Sequence, residues 1–95
     1  MIVAAARITL LIHGNNSLKG KRQVVRSLIE KVRHRFSVSI AEVDSHDLWQ
    51  RAVLGVCKIG TDVPHVDGTL RQVVRFIEDM QIAELGEDHI EVLHC

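Results

Sequence analysis

The residues of this chain most suited to act together chemically are cations gathered in one short stretch. Seven of the twelve lysine and arginine side chains fall between Lys19 and Arg35, although the formal net charge of the chain is zero. These seven are Lys19, Lys21, Arg22, Arg26, Lys31, Arg33 and Arg35. Long cationic side chains arranged along a line engage rows of phosphates and release the condensed counterions. The stretch therefore predicts a polyanionic partner, and nucleic acid is the natural one.

Four of the cations fall on one side of the helix that this stretch predicts, within about 60° of one another on a helical wheel. These four are named the cationic ridge: Lys19, Arg22, Arg26 and Arg33. The other three cations are expected on the opposite flank, and Glu30, the only acid of the helix, can pair with Arg26 or Arg33. We predict non-enzymatic nucleic-acid binding through five side chains: Lys19, Lys21, Arg22, Arg26 and Arg33.

The same cations have an alternative set of partners within the chain. Six acids follow the last cation, Arg75, and form an acidic tail: Glu78, Asp79, Glu84, Glu87, Asp88 and Glu91. Surface cations often cover apolar flanks with their stems and meet nearby carboxylates without binding any ligand. The sequence leaves both interpretations open.

The segment from Gly14 to Lys21 is a loose match to a phosphate-binding loop. Five residues separate Gly14 from Gly20 where the P-loop has four, and Arg22 stands where a hydroxyl would hold magnesium. A nucleotide cofactor is therefore not predicted. A polar loop that opens a cationic helix can still hold one phosphate, so whether the loop from Gly14 to Lys19 binds an anion is left open.

Two carboxylates and an imidazole lie together in the run Asp44-Ser45-His46-Asp47. Such residues can ligate a divalent cation or supply acid and base groups. Aspartate is also a common turn former because its side chain bonds nearby backbone, and a turn is the preferred interpretation. The histidines and cysteines follow no zinc spacing and no disulfide framework, so no metal or cofactor is predicted and a reducing cytoplasm is expected.

The periodicity of apolar residues predicts the elements that position these groups within one domain over residues 1–95. The predicted elements are a strand over 2–12, a helix over 18–35, strands over 36–43 and 48–59, a helix over 63–80 and a strand over 82–93. Ser17 and Asp62 are the expected helix caps. Because Arg7 interrupts the apolar amino terminus, neither a signal peptide nor a membrane partner is expected.

The element order βαββαβ predicts an α+β, ferredoxin-like fold, with two helices on one face of a four-stranded antiparallel sheet. The open sheet face should carry the odd-numbered side chains of the first strand. It should also carry Trp49, Arg51, Val53 and Cys57 of the third strand. Such a face is commonly covered by dimerisation or a ligand, so Trp49, Arg51 and Val53 are predicted interface residues of a homodimer. A single tryptophan cannot form the aromatic platform of RNA-binding sheets.

Three segments together resemble the YlxP-like family of small bacterial proteins over nearly the whole chain. They are Ser17-Leu18-Lys19-Gly20-Lys21-Arg22, the run from Arg35 to Val43 and the run from Asp47 to Gly55. The resemblance implies the ferredoxin-like fold and no known catalytic residue. Genes of such proteins often lie near those for ribosome-binding factor A and translation initiation factor 2. That proximity implies ribosomal RNA or a ribosomal subunit as partner.

A hydrolase is the third hypothesis, because acylphosphatases also use a compact βαββαβ domain. Their chemistry needs a phosphate-cradling loop with a fixed arginine and a nearby asparagine. Asn15 or Asn16 with Arg22 could imitate that arrangement, but the glycine-rich loop is absent. We expect no turnover of acyl phosphates.

Overall fold

The computed structural model describes residues 1–95 as four strands and two helices. They are β1 (Ile2–Leu11), α1 (Leu18–Arg35), β2 (Ser39–Asp44), β3 (Arg51–Gly60), α2 (Val63–Met80) and β4 (Glu84–His94). The sheet order is β2-β3-β1-β4, and every pair of neighbouring strands is antiparallel. The predicted ferredoxin-like α+β fold is therefore confirmed.

The core lies between the two helices and one face of the sheet. Alternate residues of β1, from Ala4 to Leu10, are buried on that face because successive strand side chains point to opposite sides. The apolar stripes of the helices meet them; the buried members are Val25, Leu28, Val32, Val66, Leu70, Val73 and Ile77. Phe36 and Phe76 add an edge-to-face pair with ring centroids 5.6 Å apart. Neither helix is long and apolar enough to cross a membrane.

Both helices begin where the sequence predicts. The Ser17 hydroxyl accepts a hydrogen bond from the Gly20 N–H at 3.0 Å, and the Asp62 carboxylate accepts one from the His65 N–H at 2.9 Å. Pro64 stands in the first turn of α2, where its missing N–H costs no intrahelical bond. The caps therefore fix the two helices to their predicted starts.

The hairpin between β2 and β3 differs from the prediction at both ends. β2 begins at Ser39 rather than Phe36, because Phe36 still caps α1, where its N–H donates to the Val32 carbonyl at 2.8 Å. β3 begins at Arg51 rather than Leu48, so Trp49 lies in the connecting loop and not on the sheet. Ser45 opens this loop with a φ of 61°, a left-handed conformation that takes the chain out of the strand.

The open face of the sheet carries side chains in rows across the strands. One row is entirely apolar and joins three strands: Ile59 of β3, Val3 of β1 and Leu93 of β4. Val53 also belongs to this face by register, between Thr9 and Asp44. It is nevertheless fully buried, because β2 bulges beside it and Asp44 reaches across β3 to Arg7 at 2.8 Å. The prediction of Val53 as an interface residue is therefore wrong.

Candidate nucleic-acid interface

Six of the seven cations of α1 are exposed, and none of the six forms an ion pair within the chain. Arg33 donates one hydrogen bond to the Ile40 carbonyl at 3.0 Å, and the Arg35 guanidinium lies 5.2 Å from the centroid of the Phe76 ring. The other four have no hydrogen-bond partner among the protein's side chains or backbone. They are Lys19, Arg22, Arg26 and Lys31. The cationic ridge is thus a line of charges without internal counterions.

The ridge is longer than a single phosphate group. Lys19 and Arg33 are fourteen residues apart on one uninterrupted helix, which at 1.5 Å per residue separates their backbones by about 21 Å. Arg33 keeps further N–H donors free after its one bond to Ile40, because a guanidinium carries five. A ligand that used the whole ridge would therefore present several negative charges along an extended line.

The acidic tail does not neutralise the ridge. Glu84 pairs with His13, and Glu91 pairs with His89 at 3.1 Å. Glu30 makes no ion pair with the neighbouring arginines. The tail also lies on the far side of the molecule, because α1 packs beside β2 at one edge of the sheet and β4 forms the other edge. The alternative in which ridge and tail pair within the chain is not realised in this fold.

Lys21 is the cation that differs from the rest. Its side chain is 0% exposed; the Nζ atom lies 2.9 Å from Glu42 Oε2 and donates to the carbonyls of Ser45 and His46. The prediction of Lys21 as a nucleic-acid contact is therefore wrong, since a buried ammonium cannot reach a phosphate. The sequence contains a signal of this burial: Lys21 precedes Val25, Leu28 and Val32 by four, seven and eleven residues, which places it within the apolar stripe.

The loop from Gly14 to Ser17 is bonded to the loop that carries Trp49. The Asn15 side-chain amide donates to the Ser17 carbonyl at 2.8 Å and to the Trp49 carbonyl. Gln50 donates in return to the Asn15 carbonyl at 3.0 Å. A Cβ at Gly20 would overlap Asn15 Oδ1, so glycine allows this close approach to α1. Because the Asn15 amide is committed to the chain's own carbonyls, the hydrolase hypothesis gains no support from it.

The predicted turn is present but begins one residue later: Asp44 ends β2, and the Leu48 N–H donates to the Ser45 carbonyl at 3.1 Å. The Asp44 carboxylate accepts a hydrogen bond from the Ser45 N–H at 2.7 Å and another from Arg7 at 2.8 Å. These two bonds, the backbone bond foremost, hold the pKa of Asp44 below its ordinary value. His46 and Asp47 are exposed, and no three potential metal-ligating side chains come together anywhere in residues 1–95.

Trp49 and Arg51 lie beside one another at the end of the molecule where the two loops meet. Trp49 is 52% exposed and its neighbour Leu48 is 49% exposed. Both line a shallow depression together with Leu11, His13, Gln50 and Arg51. Arg51 is exposed and makes no ion pair. The role of Trp49 and Arg51 as dimer contacts stays a prediction.

The fold and the unpaired cations define a small ferredoxin-like protein with a basic helix on its surface. The chain belongs to the family described as "Protein of unknown function (DUF503)", whose sequence profile matches residues 3–89. It is also 30% identical over 77 residues to the uncharacterized protein YlxP of Bacillus subtilis (strain 168), an alignment that covers 81% of this chain and 84% of that protein. The resemblance to YlxP-like proteins is therefore confirmed. Neither description names an activity.

Proposed function

We propose that this protein is a non-enzymatic RNA-binding protein that holds backbone phosphates with the cationic ridge of α1. The observation that carries this proposal is the absence of any internal counterion along an exposed line of Lys19, Arg22 and Arg26, continued by Arg33. Unpaired arginines recognise phosphate oxygens well because the planar guanidinium can donate two parallel hydrogen bonds. Ribosomal RNA in the cytoplasm is the partner that the YlxP-like resemblance favours.

The length of the ridge favours a polyanion over a small phosphorylated ligand. A nucleic-acid strand in a B-form duplex carries one negative charge about every 3.4 Å along the helix axis, so a line of about 21 Å can meet several phosphates at once. A single phosphate would engage only one or two of the four ridge residues. Because cations without counterions extend to both ends of the ridge, the ridge favours a nucleic-acid strand or double helix as ligand.

The distribution of charge supports the same proposal in a chain of zero net charge. The ridge lies near the β2 edge of the sheet, and the acidic tail lies on α2 and β4 toward the other edge. Opposite charges at opposite edges give the molecule a dipole, which orients the ridge toward a polyanion during approach. Binding through the acidic edge is disfavoured by repulsion between carboxylates and phosphates.

The direct test measures, by fluorescence anisotropy, how tightly a labelled hairpin of ribosomal RNA binds to the wild type and to two matched double variants. Arg22→Glu with Arg26→Glu reverses two ridge charges and should weaken binding at least tenfold. Lys31→Glu with Arg75→Glu reverses two exposed, unpaired cations outside the ridge and changes net charge equally. Equal weakening by both double variants, or by neither, would contradict RNA binding by the ridge.

A homodimer through the open sheet face is a second candidate function. The observation that favours it is the apolar row of Ile59, Val3 and Leu93, in which Ile59 is 61% and Leu93 48% exposed. Val43, 48% exposed, adds to the same face beside Gly55. Burying such a row against a second copy would remove apolar surface from water. The cationic ridge and this apolar row lie on different sides of the sheet, so phosphate binding by the ridge and dimerisation through the row are compatible.

A further inference from the structure

Trp49 combines three properties that ordinary surface packing does not explain. It is the only tryptophan of the chain, it is half exposed, and it lies in a loop rather than in the core or on the sheet. The adjacent Leu48 is exposed to almost the same extent. Together the two side chains form an exposed apolar patch, and such patches mark binding surfaces because their apolar atoms gain by leaving water.

The loop that displays the indole is fixed at several points. Buried Lys21 holds the carbonyls of Ser45 and His46, and the Asn15 amide holds the carbonyl of Trp49 itself. The Ile12 N–H donates to the Gln50 carbonyl at 2.9 Å. A ligand that contacts the ring would therefore meet a rigid platform, which reduces the ordering cost of binding.

Two cations without ion pairs, Lys19 and Arg51, lie near Trp49. The Asn15 side-chain amide donates to both the Trp49 and the Ser17 carbonyls. The loop that carries Trp49 therefore lies against the first turn of α1, where the ridge begins with Lys19. Arg51, which makes no ion pair, lines the depression beside the indole, and so does His13, which pairs with Glu84. An aromatic face next to unpaired cations is the pairing of groups that binds an unstacked base and its flanking phosphates.

We propose that Trp49 stacks on an unpaired base of RNA while Lys19 and Arg22 hold the phosphates beside that base. The ligand is thus an RNA helix that carries a bulged or terminal unpaired nucleotide. This inference rests on the proposed function and names its substrate class. The cations around the indole favour a base over an apolar protein segment as occupant.

The test compares two RNA hairpins that have the same stem and a non-nucleotide linker in place of the loop, one fully paired and one with a single bulged nucleotide. The chain has one tryptophan and no tyrosine, so its emission reports on Trp49 directly. Bulged RNA should quench the emission of the wild type and bind more tightly than paired RNA. Trp49→Ala should weaken binding of the bulged hairpin about 5- to 150-fold, the range of one base–aromatic stack. Its affinity for the paired hairpin should stay unchanged.

Two further variants separate the possible outcomes. Leu48→Ala shortens an equally exposed apolar side chain of the same loop and should keep the preference for bulged RNA, while Trp49→Phe should keep part of it. Unchanged emission with both hairpins, or equal affinity of wild type and Trp49→Ala for bulged RNA, overturns base stacking and leaves a protein partner for this patch. That result leaves the ridge intact, whereas full binding by Arg22→Glu with Arg26→Glu would overturn the proposed function itself.

Discussion

Replacing Lys21 by methionine tests whether this lysine is a buried structural residue rather than a phosphate contact. The change keeps the unbranched apolar stem within the buried stripe of α1 and removes only the ammonium group. Glu42 would then lose its partner, because Oε2 is buried, accepts no hydrogen bond, and forms its one ion pair with Lys21 Nζ at 2.9 Å. The carbonyls of Ser45 and His46 would lose a donor. We therefore expect a large loss of stability rather than a change in phosphate affinity alone.

The expected magnitude follows from the burial of the pair. Removing one member of a buried ion pair costs about 3–5 kcal/mol, since the other charge remains without compensation. The Glu42 side chain is 16% exposed, so water can partly solvate it, and the lower end, about 3 kcal/mol, applies. In a domain of this size 1 kcal/mol shifts Tm by about 4–8 °C, so Lys21→Met should melt about 12–24 °C below the wild type.

Urea and thermal unfolding at pH 7, monitored by circular dichroism, measure the difference in stability between Lys21→Met and the wild type directly. A second variant, Lys21→Met with Glu42→Leu, removes both charges. Replacement of a buried pair by apolar residues is often close to neutral, so we expect its stability within about 2 kcal/mol of the wild type. Lys21→Met at wild-type stability, or a double variant as unstable as the single one, would refute the buried-pair reasoning.

Two further results are expected from the open sheet face. The bonds from Ser45 and Arg7 lower the pKa of Asp44, so its carboxylate stabilises the fold at neutral pH and that contribution is lost as the pH falls below about 4. Asp44→Asn should therefore melt below the wild type at pH 7, and the gap should close toward pH 3; a constant gap in thermal melts would contradict this. If the protein dimerises through this face, Ile59→Asp should sediment as a monomer. The control Gln72→Asp adds the same charge at an exposed position of α2, on the opposite side of the sheet, and should remain a dimer. A wild-type monomer at tens of micromolar would exclude the dimer.

The regular elements could be predicted because their signals are local. Alternation in β1, apolar stripes at helical spacing, and caps at Ser17 and Asp62 each depend on residues a few positions apart. The burial of Lys21 could also be predicted, since its spacing to Val25 and Leu28 places it in the core stripe. The sequence nevertheless favours an exposed Lys21, because an ammonium is rarely buried without a partner. That partner, Glu42, is distant in sequence.

The loop that carries Trp49 could not be predicted from local signals. Residues 48–50 have the composition of a strand, yet long-range bonds from Lys21 and Asn15 hold their loop out of the sheet. Val53 was assigned correctly to the open face by alternation. Its burial depends on the bulge in β2 and on the Arg7 to Asp44 pair, which no spacing rule indicates. Such contacts appear only once the strands are in register.

The salt dependence of RNA binding tests the cationic ridge most directly. Four ridge cations on phosphates should give a slope of about −2.8 to −3.6 for log K against log salt concentration, which means roughly 50- to 150-fold weaker binding at 200 mM salt than at 50 mM salt. Arg22→Glu with Arg26→Glu should reduce the magnitude of the slope by about 1.4 to 1.8, whereas the matched control Lys31→Glu with Arg75→Glu should keep the wild-type slope. Identical slopes for the wild type and both double variants would contradict phosphate binding by the ridge.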